Sequence, residues 1–319
     1  MDKKYKNAIV LGGGGAKGFA HLGVLTTLEK EGLRPDILCG TSAGSIAGAF
    51  YSLYAERINE FENIEETYEF KVLKGMKLDS VDFEGDKEGF FLKTLYTVKK
   101  KLLLVRMLRD NALLKKEDVE PVFKNLFRDI AFEQLPVPLI AVAFDIVSGK
   151  DVYIKTGKLW KGILASCSIP GLLPPVEYGD MLLIDGGITN RLPVKCAVLA
   201  GAKSITAVDV NRFHSSFGEL NSVFDIHMRT DALISSRFDL YNSRMADFIV
   251  KPDLGDMRWN NFSRYRYAIE KGREAAKADL PGIKKTKGRM YFYRKRVRKF
   301  MGSETTDTTS INPEEFIIL

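Results

Sequence analysis

Residues 37–49 run from a short apolar segment, Ile37-Leu38-Cys39, through Gly40-Thr41-Ser42-Ala43-Gly44, into a small-residue helical run, Ser45-Ile46-Ala47-Gly48-Ala49. This is a strand, a sharp turn and a helix. Only glycines at 40 and 44 let the two backbones approach closely enough to make such a turn, and the turn projects the Ser42 hydroxyl away from the sheet. Ser42 is therefore the leading candidate nucleophile, on an elbow made with Gly40, Thr41, Ala43 and Gly44. The bland alternative is a strand–helix junction without chemistry.

A second glycine-rich turn lies upstream. Residues 6–11 read as a buried strand, Gly12-Gly13-Gly14-Gly15-Ala16-Lys17-Gly18 as a loop, and Phe19 to Lys30 as a helix with apolar residues at 19, 22, 25 and 28. Backbone N–H groups at a helix N-terminus favour negative charge. Two anions compete for the position: a dinucleotide pyrophosphate, since Gly13-x-Gly15-x-x-Gly18 fits that fingerprint, and the oxyanion of an acyl-transfer intermediate. A dinucleotide site wants an acid at the far end of the next strand. Here the acid, Asp36, precedes that strand, and the strand ends in the serine turn. A P-loop fits less well still, because Lys17 is followed by Gly18 and not by Ser or Thr. The two loops are expected side by side at the carboxyl edge of a parallel sheet, with the glycine loop as oxyanion hole.

A base is harder to find. The chain has three histidines. His21 falls near the start of the first helix and reads as a packed residue; His214 and His227 fall in a polar region and read as surface residues. A carboxylate fits better. Met181-Leu182-Leu183-Ile184 is a short apolar strand that ends in Asp185-Gly186-Gly187, which aims an acid at the edge occupied by Ser42. Ile184, Ile188 and the apolar loop Ile169–Pro175 would give it a dry pocket, and burial raises a carboxylate's basicity. Asn190 is placed to position the same loop or to serve as a plain turn residue.

Strands at 6–11, 37–39, 138–144, 181–184, 204–209 and 247–250 alternate with helical stretches, the pattern of an α/β fold with a mostly parallel sheet. Within the 319 residues, the core domain is expected over 6–280. It carries a charged, largely helical insertion at about 55–135, and a basic, aromatic C-terminal extension follows at 284–319. Cys39, Cys167 and Cys196 show no ligand spacing and read as buried free thiols. Neither a secretory segment nor a run of 18 apolar residues is present. A cytoplasmic protein is expected, peripheral on the inner membrane face.

The net charge is +7, and its distribution is uneven. Between Lys284 and Phe300 there are nine Lys or Arg and no acid, interleaved with Tyr291, Phe292 and Tyr293. As a helix this stretch suits anionic lipid, as does Lys99–Arg106 in the insertion. Nucleic acid is the weaker partner for the same patches.

Four blocks together resemble the bacterial patatin-like phospholipases: Gly13–Gly18, Gly40–Gly44, Ala165-Ser166-Cys167-Ser168-Ile169-Pro170-Gly171-Leu172-Leu173-Pro174-Pro175, and Asp185-Gly186-Gly187. The resemblance spans nearly all of residues 6–280. It implies a three-layer patatin-like α/β fold and a serine acyl hydrolase acting on lipid or lysolipid esters, without metal or organic cofactor. It further implies a Ser42–Asp185 dyad, with Asp185 as proton acceptor, Gly186 and Gly187 in the dyad loop, and the amides of Gly13, Gly14, Gly15, Ala16, Lys17 and Gly18 around the oxyanion. Lys17 would neutralise charge there or pair with a carboxylate. Asp-Gly-Gly departs from the Asp-Gly-Ala of many family members. Two rivals stand: a Ser-His-Asp hydrolase using His214 or His227, and a silent regulatory protein that keeps the fold.

Overall fold

The computed structural model describes residues 5–54, 112, 114–211, 223–287 and 315–319. In chain order the main elements are β1 (Asn7–Leu11), α1 (Phe19–Lys30), β2 (Ile37–Thr41), α2 (Ala43–Tyr54), α3 (Lys116–Phe127), β3 (Leu139–Asp145) and β4 (Lys150–Ile154). There follow α4 (Leu159–Cys167), β5 (Val176–Tyr178), β6 (Met181–Asp185), α5 (Gly187–Asn190), α6 (Val194–Leu199), β7 (Ser204–Val208), α7 (Val223–Ser243), β8 (Phe248–Val250), α8 (Tyr265–Thr286) and β9 (Phe316–Ile318).

The strands form one sheet. Its centre is parallel: β1 pairs with β2 and β7, β2 with β3, and β7 with β8. Alternation along each central strand divides the interior into two layers. Ile9 and Leu11 of β1, Leu38 of β2 and Leu139, Ala141 and Ala143 of β3 face the larger core with α1, α2, α3, α4 and α8. Ala8, Val10, Ile37, Cys39, Ile140 and Val142 face the smaller one with α6. The expected three layers are thus present, with helices on both faces.

The far side of the sheet is antiparallel, and it decides where Asp185 lies. Strand β4 folds back on β3 along residues 141–145. Strand β6 also pairs antiparallel with β3, Ala143 to Asp185 through Asp145 to Leu183, so it must occupy the edge opposite β4. Strand β2 occupies that same opposite edge, since it pairs with residues 139–142 and β4 already takes 141 and 142. Strands β2 and β6 therefore run toward each other along one edge of β3 and end on adjacent rungs, Thr41 beside Val142 and Asp185 beside Ala143. The sequence places Asp185 at the carboxyl edge of a parallel sheet; the structure brings it to Ser42 from the opposite direction.

Sequence periodicity misses β4, β5 and β9. Strands β4 and β5 are short, and β4 follows a hairpin turn closed by Gly149 at φ 72°; β9 has only three residues and is recognisable only by its pairing with β4. Of the expected insertion, α3 is described, and its Val119, Phe123, Leu126 and Phe127 join the larger core. Residues 55–111 and 113, with the basic run Lys99–Arg106, lie outside the described residues, as do 288–314 of the basic extension. The start of that extension is the end of α8, where Lys284 pairs with Glu31 at 2.8 Å. Its last residues return to the sheet as β9, and Lys195 binds Glu315 at 2.7 Å.

The turn from β2 into α2 packs against β1 at Gly44, where an added Cβ would stand 2.1 Å from the Leu11 carbonyl oxygen. Backbone cannot yield that far without separating β1 from α2. Gly44→Ala is expected to cost more than about 3 kcal/mol of stability or to prevent folding. Gly32→Ala, in open space at φ 67°, should cost only about 1 kcal/mol. Urea denaturation of the two variants checks the contrast.

Candidate active site

Ser42 sits at the apex with φ 53°, one of two non-glycine residues with positive φ among those described. This left-handed backbone is sparsely populated for a residue with a side chain. It is held from both sides. The Ser42 amide donates to Ser166 Oγ at 2.9 Å, and the Ser42 carbonyl accepts from the Ser45 amide at 2.8 Å and the Ser45 hydroxyl at 2.6 Å. The Ser166 hydroxyl in turn donates to the Val142 carbonyl at 2.7 Å, which anchors the apex to β3.

Asp185 is the last residue of β6 and is 6% exposed. Its amide donates to the Ser168 carbonyl at 2.9 Å, and its Oδ1 accepts the Gly187 amide at 2.7 Å. Burial pushes its carboxyl up to about 6, against weaker downward pulls from the neighbouring Ser42 hydroxyl and the Gly187 amide. The Ser42 hydroxyl is thus close enough to the Asp185 carboxyl to act on its ionisation. The second residue after Asp185 has little room for a side chain: a Cβ on Gly187 would lie 2.9 Å from Asp185 Oδ1. Cys167 lies beside both groups, and burial pushes its thiol up, so it is present as a neutral thiol.

The glycine loop lies against Ser42, with Gly13 nearest; a Cβ there would be 3.3 Å from Ser42 Cβ. Its amides are not equivalent. Gly13 donates to the Arg191 carbonyl at 2.8 Å, Ala16 to the Trp259 carbonyl at 2.6 Å, and Lys17 to the Gly14 carbonyl at 3.2 Å. The amides of Gly14 and Gly15 donate to no group among the described residues. Of the six residues expected around an oxyanion, three have their amides engaged in holding the loop, because a loop this short needs its own anchors. Gly18 serves packing, with its Cα turned onto Ala43 of α2.

His21 is fully buried and its Nε2 donates to the Gly12 carbonyl at 2.7 Å. Burial lowers its pKa to about 4, so the ring is neutral. It is the packed residue the sequence suggests, and it also pins the strand end that opens the glycine loop. Lys17 is held below its ordinary value, first by burial and then by the nearby Arg191 charge; it forms no ion pair among the described residues. Arg191 is bound to Asp239 instead. Asn190 is buried and joins the two loops: its carbonyl accepts the Thr41 hydroxyl at 2.7 Å, and its side chain bridges Asp151 and Asn242. His214 lies outside the described residues; His227 falls within α7, but its side chain is not among those described.

A cavity of about 90 Å³ opens beside Ser42. Phe50, Phe123, Ile169, Leu172, Trp259 and Phe262 are among its walls, and nearly all of its surface is apolar. Ile169, Leu172 and Leu173 stand where the sequence puts an apolar loop, whereas Ile188 is 39% exposed and does not wall in Asp185. Sequence reasoning names neither Ser166 and Ser168 as anchors nor Trp259 and Phe262 as walls. The two serines belong to the block Ala165–Pro175, which offers a signal; Trp259 and Phe262 come from a loop with no local pattern. Among the described residues no helix is long and apolar enough to cross a membrane.

Comparison with known proteins identifies the family. The patatin-like phospholipase family model matches residues 9–198. An uncharacterized NTE family protein of Mycobacterium tuberculosis is 29% identical over 298 residues, covering 85% of this chain and 46% of the relative. Patatin-like phospholipase domain-containing protein 6 of Mus musculus is 34% identical over 205 residues, 64% of this chain and 13% of the relative. The chain thus spans less than half the length of these curated relatives. Among solved structures, VipD from Legionella pneumophila aligns with a TM-score of 0.47 at 13% identity, over 88% of this chain and 67% of that one. On the extent of the family match, this chain belongs to the patatin-like phospholipase family.

Proposed function

We propose that this protein is a serine hydrolase of lipid carboxylic esters, working through a Ser42–Asp185 dyad. The observation that carries the reading is the placement, on adjacent rungs of β3, of a serine on a strained elbow and a carboxylate pushed up to about 6 by burial. An ordinary aspartate, with a pKa near 3.9, is a poor base toward a hydroxyl. Burial brings Asp185 closer to the working pH while leaving it largely ionised at neutrality. Asp185 takes the Ser42 proton as Oγ attacks the ester carbonyl carbon, and the protonated carboxyl then gives that proton to the departing alcohol. Water attacks the acyl-serine with Asp185 again as base, releasing the fatty acid and restoring the serine.

The developing oxyanion is received by the Gly14 and Gly15 amides, each such donor contributing on the order of 3 kcal/mol. The apolar cavity takes the acyl chain, and its walls exclude water from the reacting carbonyl. The family membership supports the lipid class of ester. The names of the relatives support it too, patatin-like phospholipase domain-containing protein 6 among them. His21 is no rival base, since its Nε2 is committed to Gly12.

Fluorophosphonate labelling is expected to modify Ser42 and to be lost in Ser42→Ala; a labelled peptide without Ser42 overturns the nucleophile. Asp185→Asn should lower kcat by roughly three to four orders of magnitude, whereas His214→Ala and His227→Ala keep most activity. A folded histidine variant as inactive as Asp185→Asn would replace the dyad by a triad.

The pH dependence follows from the same carboxyl. Since Asp185 must be ionised to act, kcat/KM should rise with pH through about 6 and level off above it. Stability moves the other way. A carboxyl whose pKa is raised on folding favours the folded state while protonated, and that contribution is lost as pH rises from about 4 through about 6. Asp185→Asn should therefore stabilise the fold at neutral pH, by on the order of 1–3 kcal/mol. Denaturant titrations of wild type and variant at acidic and neutral pH measure it.

A further inference from the structure

A second cavity, of about 450 Å³, opens at the amino end of the sheet. Strands β2 and β3 begin there and end at the candidate site. Ile37, on its wall, is five residues before Ser42, so the cavity stands about 16 Å from the nucleophile along β2. None of its described walls is shared with the cavity beside Ser42. Protein interiors leave few voids larger than a water molecule, whereas small-molecule sites run from about 300 to 1,000 Å³. This space has the size of a binding site and not of a packing flaw.

Its walls sort by depth. Ile37, Leu135, Leu139, Ile140 and Cys196 are buried and make an apolar floor, whereas Glu133, Gly201 and Ile318 are exposed and mark the mouth. Two charged side chains are described on the walls, Glu133 and the half-buried Lys155. Both carboxylate oxygens of Glu133 accept the Gly157 amide at 3.1 Å. The Lys155 side chain has neither an ion pair nor a hydrogen bond among the described residues. Acids on the adjoining elements are engaged elsewhere: Glu315 by Lys195, Asp151 by Thr189 and Asn190, and Asp129 by Lys158. Tyr153, also on the wall, keeps a buried hydroxyl with no hydrogen-bond partner among the described residues.

An apolar floor with one unanswered ammonium selects a ligand with a long apolar body and a single negative charge. A lysine stem packs along hydrocarbon while its head stays at the water boundary. A phosphate dianion is poorly served here, because the described walls offer no arginine to clasp it and α6 presents its C-terminal end, at Leu199, which opposes added negative charge. We propose that this cavity is a second lipid site, which binds a long-chain fatty carboxylate with its chain on the apolar floor and its head group at Lys155. That this ligand is the product released at Ser42 rests on the lipid-hydrolase reading, but its binding does not.

The probe is palmitate carrying a photoreactive diazirine, with hexadecanol labelled in the same way as its uncharged counterpart. The full chain carries Ser42→Ala, so that no acyl-enzyme forms. Irradiation and peptide mapping separate the two cavities, because walls of this one fall at 132–140 and 196–201 and walls of the other at 42–50 and 259–262. Adducts are expected at 132–140 or 196–201, and at lower concentrations of the acid than of the alcohol. Lys155→Met keeps the apolar stem and removes the charge; it should weaken the acid at least about tenfold and leave the alcohol within about twofold, with thermal melting unchanged. Ala200→Trp fills the space from a half-buried wall position, and should abolish these adducts while sparing those near Ser42. Where Ala200→Trp does not fold, Lys155→Met decides. No adduct in either segment, equal affinity for acid and alcohol, or acid binding indifferent to Lys155→Met overturns the proposal. Absence of ester hydrolysis in the unaltered protein would count against the dyad, and the carboxylate site would still stand or fall on its adducts.

Discussion

One edge of β3 is shared by two strands that run toward each other, and the candidate site exists only because of that sharing. Strand β2 takes rungs 139–142 and β6 takes 143–145. Ser42 follows the last paired residue of β2, and Asp185 is the last paired residue of β6. The same junction needs holding from behind, and Ser166 does so by joining the Ser42 amide to the Val142 carbonyl. Ser168, on the same stretch, accepts the Asp185 amide. The C-terminal end of α4 thus clamps both strand ends at once; removal of the Ser166 hydroxyl would leave the buried Ser42 amide without its partner, whereas Ser168 acts through its backbone carbonyl.

The junction is energetically unfavourable in two places. A non-glycine residue in the left-handed region costs about 1–2 kcal/mol, and a buried carboxylate resists ionisation. Neither is tolerable in isolation. They persist because the turn is over-determined: glycine permits contact between α2 and β1 at Gly44, the apex backbone is hydrogen-bonded on both sides, and Asn190 ties the Asp185 loop to Thr41. Strain of this sort, held by surrounding contacts, is a property of sites that act on something.

Much of this was legible in the sequence because glycines and strand ends are local signals. The runs 6–11 and 37–39 announce their strands by apolar length, the elbow by Gly40 and Gly44, and the acid by the abrupt stop after Ile184. What stayed hidden depends on distant partners. Nothing near Asp185 tells that β6 is antiparallel, since its direction is fixed by pairing with β3 some forty positions earlier. The division of labour among the loop amides is equally non-local: Ala16 is engaged by Trp259 and Gly13 by Arg191. Helix α7 misleads by composition, because its apolar residues suggest a core face and its polar ones a solvent face, and the structure assigns them oppositely.

Strand β3 also acts as a ruler. Along a strand, position advances in fixed steps of about 3.3 Å, and a slip of one residue reverses the face to which every side chain points. The separation of Ser42 and Asp185 is thereby quantised: it is set by adjacent rungs and has no continuous adjustment. Chain length elsewhere does not enter it. The long stretch between α2 and β3, outside the core helix α3, and the connection from β4 to β6, outside α4 and the clamp of Ser166 and Ser168, can gain or lose residues while the two reacting groups keep their spacing. A single insertion within residues 139–145, by contrast, would shift one group against the other by a whole step. Diversity in this architecture is therefore confined to the connections, and β3 is the part of the chain least able to change in length.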